Sequence, residues 1–263
     1  MRKSEIIKHS HNYRMQKVIQ YSIEKLFSCF NLKISRISTQ SIPSVFFEID
    51  SDFNPLYDLA QQKTQMTTSD NYLRRQRHYT LMKLLQQTSP VINQGNVAEC
   101  GCWRGLSSFQ ISTNLKKMNF QKKFYIFDSF EGLSEYLVED GKQQVGTDED
   151  VRRKHFAYPI DLVRENLRDF DFIDLKKGWI PERFGEVDNE RFSFVHIDVD
   201  LYQPIRDSLE FFYPRLVPNG IIALDDYGYL SFPGAKKAVD EFIQNKPDFF
   251  LSLPSGAAFI IKK

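Results

Sequence analysis

The chain has 263 residues, 41% of them hydrophobic and 26% charged, with a formal net charge of +1. That length can bury the core of one domain plus extensions, and the near-neutral balance excludes a dedicated nucleic-acid binder. No stretch approaches the roughly 20 apolar residues of a bilayer span, and no apolar signal segment follows the basic start, so a cytoplasmic protein without membrane contacts is expected. The 23 Phe residues read as core packing. Cys29, Cys100 and Cys102 cannot all pair and match no zinc spacing, so they read as free thiols in a reducing compartment.

In chain order, residues 1–66 form an N-terminal extension without a readable motif. Apolar residues in 9–30 approach a helical stripe, whose basic stretch 14–25 reads as packing on the domain or a partner rather than on a membrane surface. The segment 41–55, with Pro43 and Pro55, reads as extended or irregular. From residue 67 the pattern sharpens. Thr68, Ser69 and Asp70 can cap a helix over 72–87. Strands are predicted over 96–100, 123–128, 172–176, 192–198 and 220–224, and helices over 107–117, 161–167, 204–213 and 234–245. Segments 249–253 and 257–262 read as a closing antiparallel pair. This alternation implies a doubly wound, mostly parallel α/β sheet over 67–263. The acidic loop 134–153 is long enough to read as a lid.

In such a sheet, ligands bind beyond the carboxyl ends of the strands. After the first strand comes Glu99-Cys100-Gly101-Cys102-Trp103-Arg104-Gly105, of the form E-x-G-x-x-x-G. Its spacing suits a zwitterionic amino-acid tail better than a pyrophosphate, with a purely structural turn as the competing reading. The second strand ends at Asp128-Ser129, where a carboxylate can accept hydrogen bonds from both hydroxyls of a ribose, or else cap a turn. The fourth strand ends in His196-Ile197-Asp198-Val199-Asp200 and the fifth in Asp225-Asp226. Up to four carboxylates converge if these strands are neighbours, and a hard divalent cation would relieve their repulsion. A solvated acidic rim is the alternative. His196 reads as a hydrogen-bonded core histidine and is left out of the metal set.

Trp103-Arg104-Gly105, Asp128-Ser129-Phe130-Glu131-Gly132-Leu133, His196 through Tyr202, Asp225-Asp226-Tyr227-Gly228 and the stretch 233–242 together resemble the macrocin O-methyltransferase family. The resemblance covers roughly residues 67–259. It implies a seven-stranded class I methyltransferase sheet, S-adenosylmethionine as methyl donor, and Mg2+ bound by Asp198, Asp225 and Asp226. It further implies Asp200 as catalytic base, with Asp198 as the alternative. Glu99, Gly101, Arg104, Gly105, Ser107, Asp128, Ser129, Gly178 and Trp179 are then expected around the cofactor, with Trp179 lining the adenine pocket. Cys102 departs from the apolar residue expected there. The implied partner is a small-molecule hydroxyl acceptor, a sugar or glycoside, and the implied assembly is a homo-oligomer with residues 1–66 enclosing acceptor or subunit. A catechol-type methyltransferase, a nucleotide-dependent oxidoreductase and a non-catalytic scaffold are the competing functions.

Overall fold

The computed structural model describes residues 50–66, 70–141 and 153–263. The readings placed on 1–49, including Cys29 and the amphipathic stretch, and those on Thr68, Ser69 and most of the acidic loop lie outside the described residues. Residues 50–263 form one compact unit. No described helix is long and apolar enough to cross a membrane.

The unit opens with helix α1, Phe53–Lys63, inside the segment expected to be irregular up to residue 55. Pro55 falls in its first turn, where a missing backbone N–H costs nothing. Asp50 takes the N–H groups of Asp52 (2.9 Å) and Phe53 (2.7 Å), which starts the turn. Phe53, Leu56, Tyr57 and Ala60 recur at helical spacing and are all buried. Helix α2, Tyr72–Gln87, matches its predicted span, but its cap is Asn71, whose side chain accepts from Arg74 N–H at 2.9 Å. Asp70 does not cap the helix. Its carboxylate instead receives Tyr57 Oη (3.0 Å) and Arg75 Nε (2.6 Å), tying α2 to α1.

The seven-stranded sheet comprises β1 (Asn96–Cys100), β2 (Phe124–Asp128), β3 (Ile173–Lys177), β4 (Phe192–Ile197), β5 (Leu216–Leu224), β6 (Phe249–Ser252) and β7 (Ala258–Ile261). Their order is β3-β2-β1-β4-β5-β7-β6, with the first five parallel and β7 antiparallel to both its neighbours β5 and β6, as expected of the class I methyltransferase sheet. Helices α3 (Leu106–Lys117), α4 (Ile160–Asn166), α5 (Tyr202–Phe212) and α6 (Pro233–Ile243) connect them. β1 and β4 are buried along their whole length, and their polar members Asn96, Glu99, Ser193 and His196 each find a hydrogen-bond partner. Much of the aromatic excess lies against the sheet: Phe184, Phe192 and Phe127 each make edge-on contact with Phe212. β5 starts four residues earlier than expected. A register shift in its pairing with β4 between Phe192 and Phe194 lets the strand run through Pro218, Asn219 and Gly220.

The winding of the sheet reverses at β1, since β2 lies on one side of β1 and β4 on the other. That switch point opens a crevice at the strand ends. Hydrogen bonds carry the ladder one residue past the strands: Gly101 N–H donates to Phe127 O (2.8 Å), Asp198 N–H to Cys100 O (2.8 Å) and Asp225 N–H to Ile197 O (3.0 Å). Gly101, Asp198 and Asp225 are therefore fixed in one row.

Candidate active site

A cavity of about 300 Å³ opens at this row. Its walls include Gly101, Arg104, Ser107, Asp128, Ser129, Trp179, Asp198, Asp200, Asp225 and Asp226, which is ten of the expected site residues in one space.

The glycine turn is built around close approach. At Gly101 φ is +81° and a Cβ would lie 1.9 Å from the carbonyl oxygen of Asp198, so β1 and β4 can meet only over a glycine. Asp128 then organises the turn. Its Oδ2 accepts from Cys102 N–H (2.7 Å) and Trp103 N–H (3.0 Å), and its Oδ1 accepts from Phe130 N–H (2.6 Å). Burial raises its pKa, opposed by those three donors. Three of roughly four acceptor directions are used. The Cys102 thiol adds a further hydrogen bond to the carboxylate. Ser129 Oγ turns inward on its own loop, donating to Gly132 O at 2.9 Å.

Three expected cofactor residues are not in the cavity wall. Glu99 is fully buried and spends its carboxylate on Ser108 Oγ and on His196 Nδ1 (2.9 Å), because a charge at that depth needs partners within the core. Gly105 supplies the left-handed residue that starts α3, with Val163 and Leu167 packed against its Cα. Gly178 passes under Arg183, whose Cγ would be 2.7 Å from a Cβ. Both glycines shape the walls rather than line them. Arg104 faces the wall but its guanidinium donates to Gln65 O (2.9 Å) and lies over the ring of Tyr158 at 4.4 Å.

The acid cluster forms as the neighbouring strand ends predicted. Asp198, Asp225 and Asp226 each offer one oxygen within 4.8 Å of the others. Asp226 Oδ2 accepts the N–H of Asp200 (2.9 Å), and Asp225 Oδ2 is ion-paired with Arg77, so both retain a second oxygen. Burial and the neighbouring acids push the carboxyls of Asp198 and Asp226 well above their ordinary range. Such crowding of oxygen donors suits a hard divalent cation, which the two remaining oxygens and Asp198 could hold. Asp200 stands beside this set with φ at +60°, and Leu201 N–H reaches back across it to Val199 O at 2.6 Å. Trp103 (φ +47°) is likewise left-handed, so two strained residues line the cavity, while Phe130 (φ +59°) sits in the loop just beyond Ser129.

Sequence reading missed the wall contributed by α2 and the segment before it: Met66, Arg74, Arg77 and His78. The Arg-rich start of α2 was the available signal. Burial opposes the charge of Arg77, but Asp225, Tyr229, Asp198 and Asp226 surround it and hold its pKa above the usual arginine value. Its guanidinium lies over the ring of Tyr229 at 4.8 Å. His78 is kept neutral, its pKa pushed down to about 3 by burial against a partial opposing pull from Asp225.

Comparison with known proteins agrees with this geometry. An 8-demethyl-8-(2,3-dimethoxy-α-L-rhamnosyl)-tetracenomycin-C 4′-O-methyltransferase of Streptomyces olivaceus is 30% identical over 142 residues, 51% of this chain and 53% of that protein. A demethyldecarbamoylnovobiocin O-methyltransferase of Streptomyces niveus is 27% identical over 157 residues, 56% of this chain and 58% of that protein. The chain thus spans between half and three-fifths of the length of these curated relatives. The calicheamicin methyltransferase CalS11 shares the fold, with a TM-score of 0.59 at 15% identity, covering 88% of this chain and 98% of that one. Residues 67–247 match the family described as macrocin-O-methyltransferase (TylF), a span that holds the glycine turn, Asp128 and all four strand-end acids. The chain belongs to the macrocin O-methyltransferase family.

Proposed function

We propose that the protein transfers a methyl group from S-adenosylmethionine to a hydroxyl of a sugar or glycoside, with Mg2+ held by Asp198, Asp225 and Asp226. The observation that carries this reading is the convergence of the three carboxylates within 4.8 Å in the same cavity as the Gly101 turn and Asp128. The relatives' names add the acceptor class, since one is named for a rhamnosyl-tetracenomycin substrate.

In the proposed reaction the acceptor oxygen forms a bond to the methyl carbon as the carbon–sulfur bond breaks, leaving S-adenosylhomocysteine. The hydroxyl proton passes to the carboxylate of Asp200, with Asp198 the alternative acceptor. When bound, a divalent cation stabilises the negative charge that develops on the acceptor oxygen. Asp128, the Gly101 turn and Ser107 hold the donor, and Trp179 flanks its base. The remaining task of the walls is to align oxygen, carbon and sulfur, which supplies much of the acceleration in an in-line displacement.

The catechol-type alternative keeps donor and cation and differs only in acceptor. Isothermal titration with S-adenosylhomocysteine, with and without Mg2+, followed by a screen of glycosides and catechols, tests both halves. Asp225→Asn is expected to abolish Mg2+-dependent methyl transfer while leaving S-adenosylhomocysteine affinity nearly intact. Full activity in that variant overturns the cation assignment.

A further inference from the structure

Beside the acid cluster lies a second, much smaller cavity of about 10 Å³, whose walls include Arg77, Thr80, Leu81, His196, Asp225 and Ala257. A single water needs about 10–15 Å³ in this measure, so the cavity lies at the lower end of the room for one molecule. Two of its wall residues carry buried polar atoms that have no hydrogen-bond partner among the described residues: Arg77 Nε and His196 Nε2. An unpaired polar atom at such depth is costly, so native structures satisfy them with protein groups or ordered water. His196 is 2% exposed and the Arg77 side chain 13%, so bulk solvent does not satisfy them.

We propose that this cavity binds one structural water that bridges Arg77 Nε and His196 Nε2, making Arg77 a positioning residue for Asp225. The hydrogen-bond directions close. In this arrangement His196 carries its proton on Nδ1, 2.9 Å from Glu99 Oε1, so that Nε2 accepts. Arg77 Nε–H donates to the water oxygen, and the water donates to His196 Nε2. The far side of the same guanidinium is ion-paired with Asp225 Oδ2 and lies over Tyr229. A continuous chain then runs from the core pair Glu99–His196, through the water and Arg77, to an acid of the cluster. Arginine suits this position because its planar fork donates from Nε and Nη at once, which lysine cannot do. Groups that orient an acidic ligand from behind are worth about 10–100-fold in metal affinity or activity.

The inference rests on the proposed cation site for its consequence, and its test separates the two. A high-resolution crystal structure of the full chain is expected to show an ordered water within hydrogen-bonding distance of both Arg77 Nε and His196 Nε2. A dry cavity, or a direct bond between the two nitrogens, overturns the proposal whatever the enzyme does with Mg2+. If the water is present and wild-type protein binds no Mg2+, the relay stands and the cation reading fails. In solution, Arg77→Lys keeps the charge and removes Nε, while Ala257→Val adds methyl groups at the cavity wall. Each is expected to lower Mg2+ affinity and kcat about 10-fold, with S-adenosylhomocysteine affinity and KM for the acceptor within about two-fold. The double variant is expected to be no worse than either single one, since both remove the same bridge. Additive losses, or a wild-type Ala257→Val, overturn the role in positioning.

Discussion

Asp200 is held in a backbone conformation that costs a non-glycine residue on the order of 1–3 kcal/mol. Two bonds enforce it: the Leu201 N–H to Val199 O turn, and its own N–H on Asp226 Oδ2. The second ties the candidate base to an acid of the proposed cation site through the backbone, leaving the Asp200 carboxylate to face the cavity. That carboxylate is not one of the three clustered oxygens, although its charge helps to raise the pKa of Asp226. Asp200→Asn is therefore expected to reduce kcat by roughly 10²–10⁴-fold, with Mg2+ and S-adenosylhomocysteine affinities nearly unchanged by titration calorimetry. A large loss of Mg2+ affinity with turnover preserved at saturating Mg2+ would move the base to Asp198. Gly101 makes the complementary case, in which geometry alone matters. A methyl group there meets the Asp198 carbonyl, so Gly101→Ala is expected to cost more than about 1 kcal/mol in urea denaturation and to weaken S-adenosylhomocysteine binding.

At the scale of elements, helix α2 joins stability to the site. It carries Arg77 and His78 into the cavity, and its only side-chain cap is Asn71 on Arg74 N–H. Asn71→Ala is expected to lower unfolding free energy by about 1 kcal/mol, read by urea denaturation, whereas the same change at Asp70 acts through lost Tyr57 and Arg75 contacts instead of a cap. The cap shows why the sequence was legible unevenly. Asn71 follows three other good capping residues, and only the fold selects which of them sits where the chain leaves the extended conformation. Strands and their carboxylates were readable because a parallel sheet needs mostly apolar runs, and Phe192–Ile197 ends abruptly in Asp198. Helix α1 was hidden by Pro55, which reads as a breaker unless its place in the first turn is known. β5 was shortened for a related reason: Pro218, Asn219 and Gly220 are turn residues that a register shift absorbs. The contribution of α2 to the cavity was unreadable because Arg74 and Arg77 look like any solvated helix face until Asp225, 148 residues later, is brought beside Arg77. Glu99 failed oppositely. Its place after the strand pattern suggested a ligand contact, but His196 and Ser108 claim it.

For the whole molecule, the acid cluster and His78 set opposite slopes in the dependence of stability on pH. Burial and mutual repulsion lift Asp198 and Asp226 above their ordinary 3.8, so the folded chain binds those protons more tightly than the unfolded chain does. Their sites favour folding at low pH, and that advantage is lost as pH rises past about 4 and through the raised folded values. His78 works the other way. Its pKa falls from 6.5 to about 3 on folding, so its contribution is complete above about 6.5 and is lost progressively below it. Without divalent cations, the Tm is therefore expected to peak between these limits and to decline toward alkaline pH. Mg2+ should change the alkaline side alone, because it competes with protons for the same oxygens and finds them taken in acid. At 100 times its Kd a ligand adds about 2.7 kcal/mol to folding, roughly 5–10 °C for a chain of this size. Calorimetric scans from about pH 4 to 9, in EDTA and in Mg2+, read both slopes. Curves that rise together at every pH, or that coincide, would remove the cluster from cation binding. A separation that opens only above the range where the acids ionise ties the pH profile to Asp198, Asp225 and Asp226, the same oxygens on which the proposed methyl transfer depends.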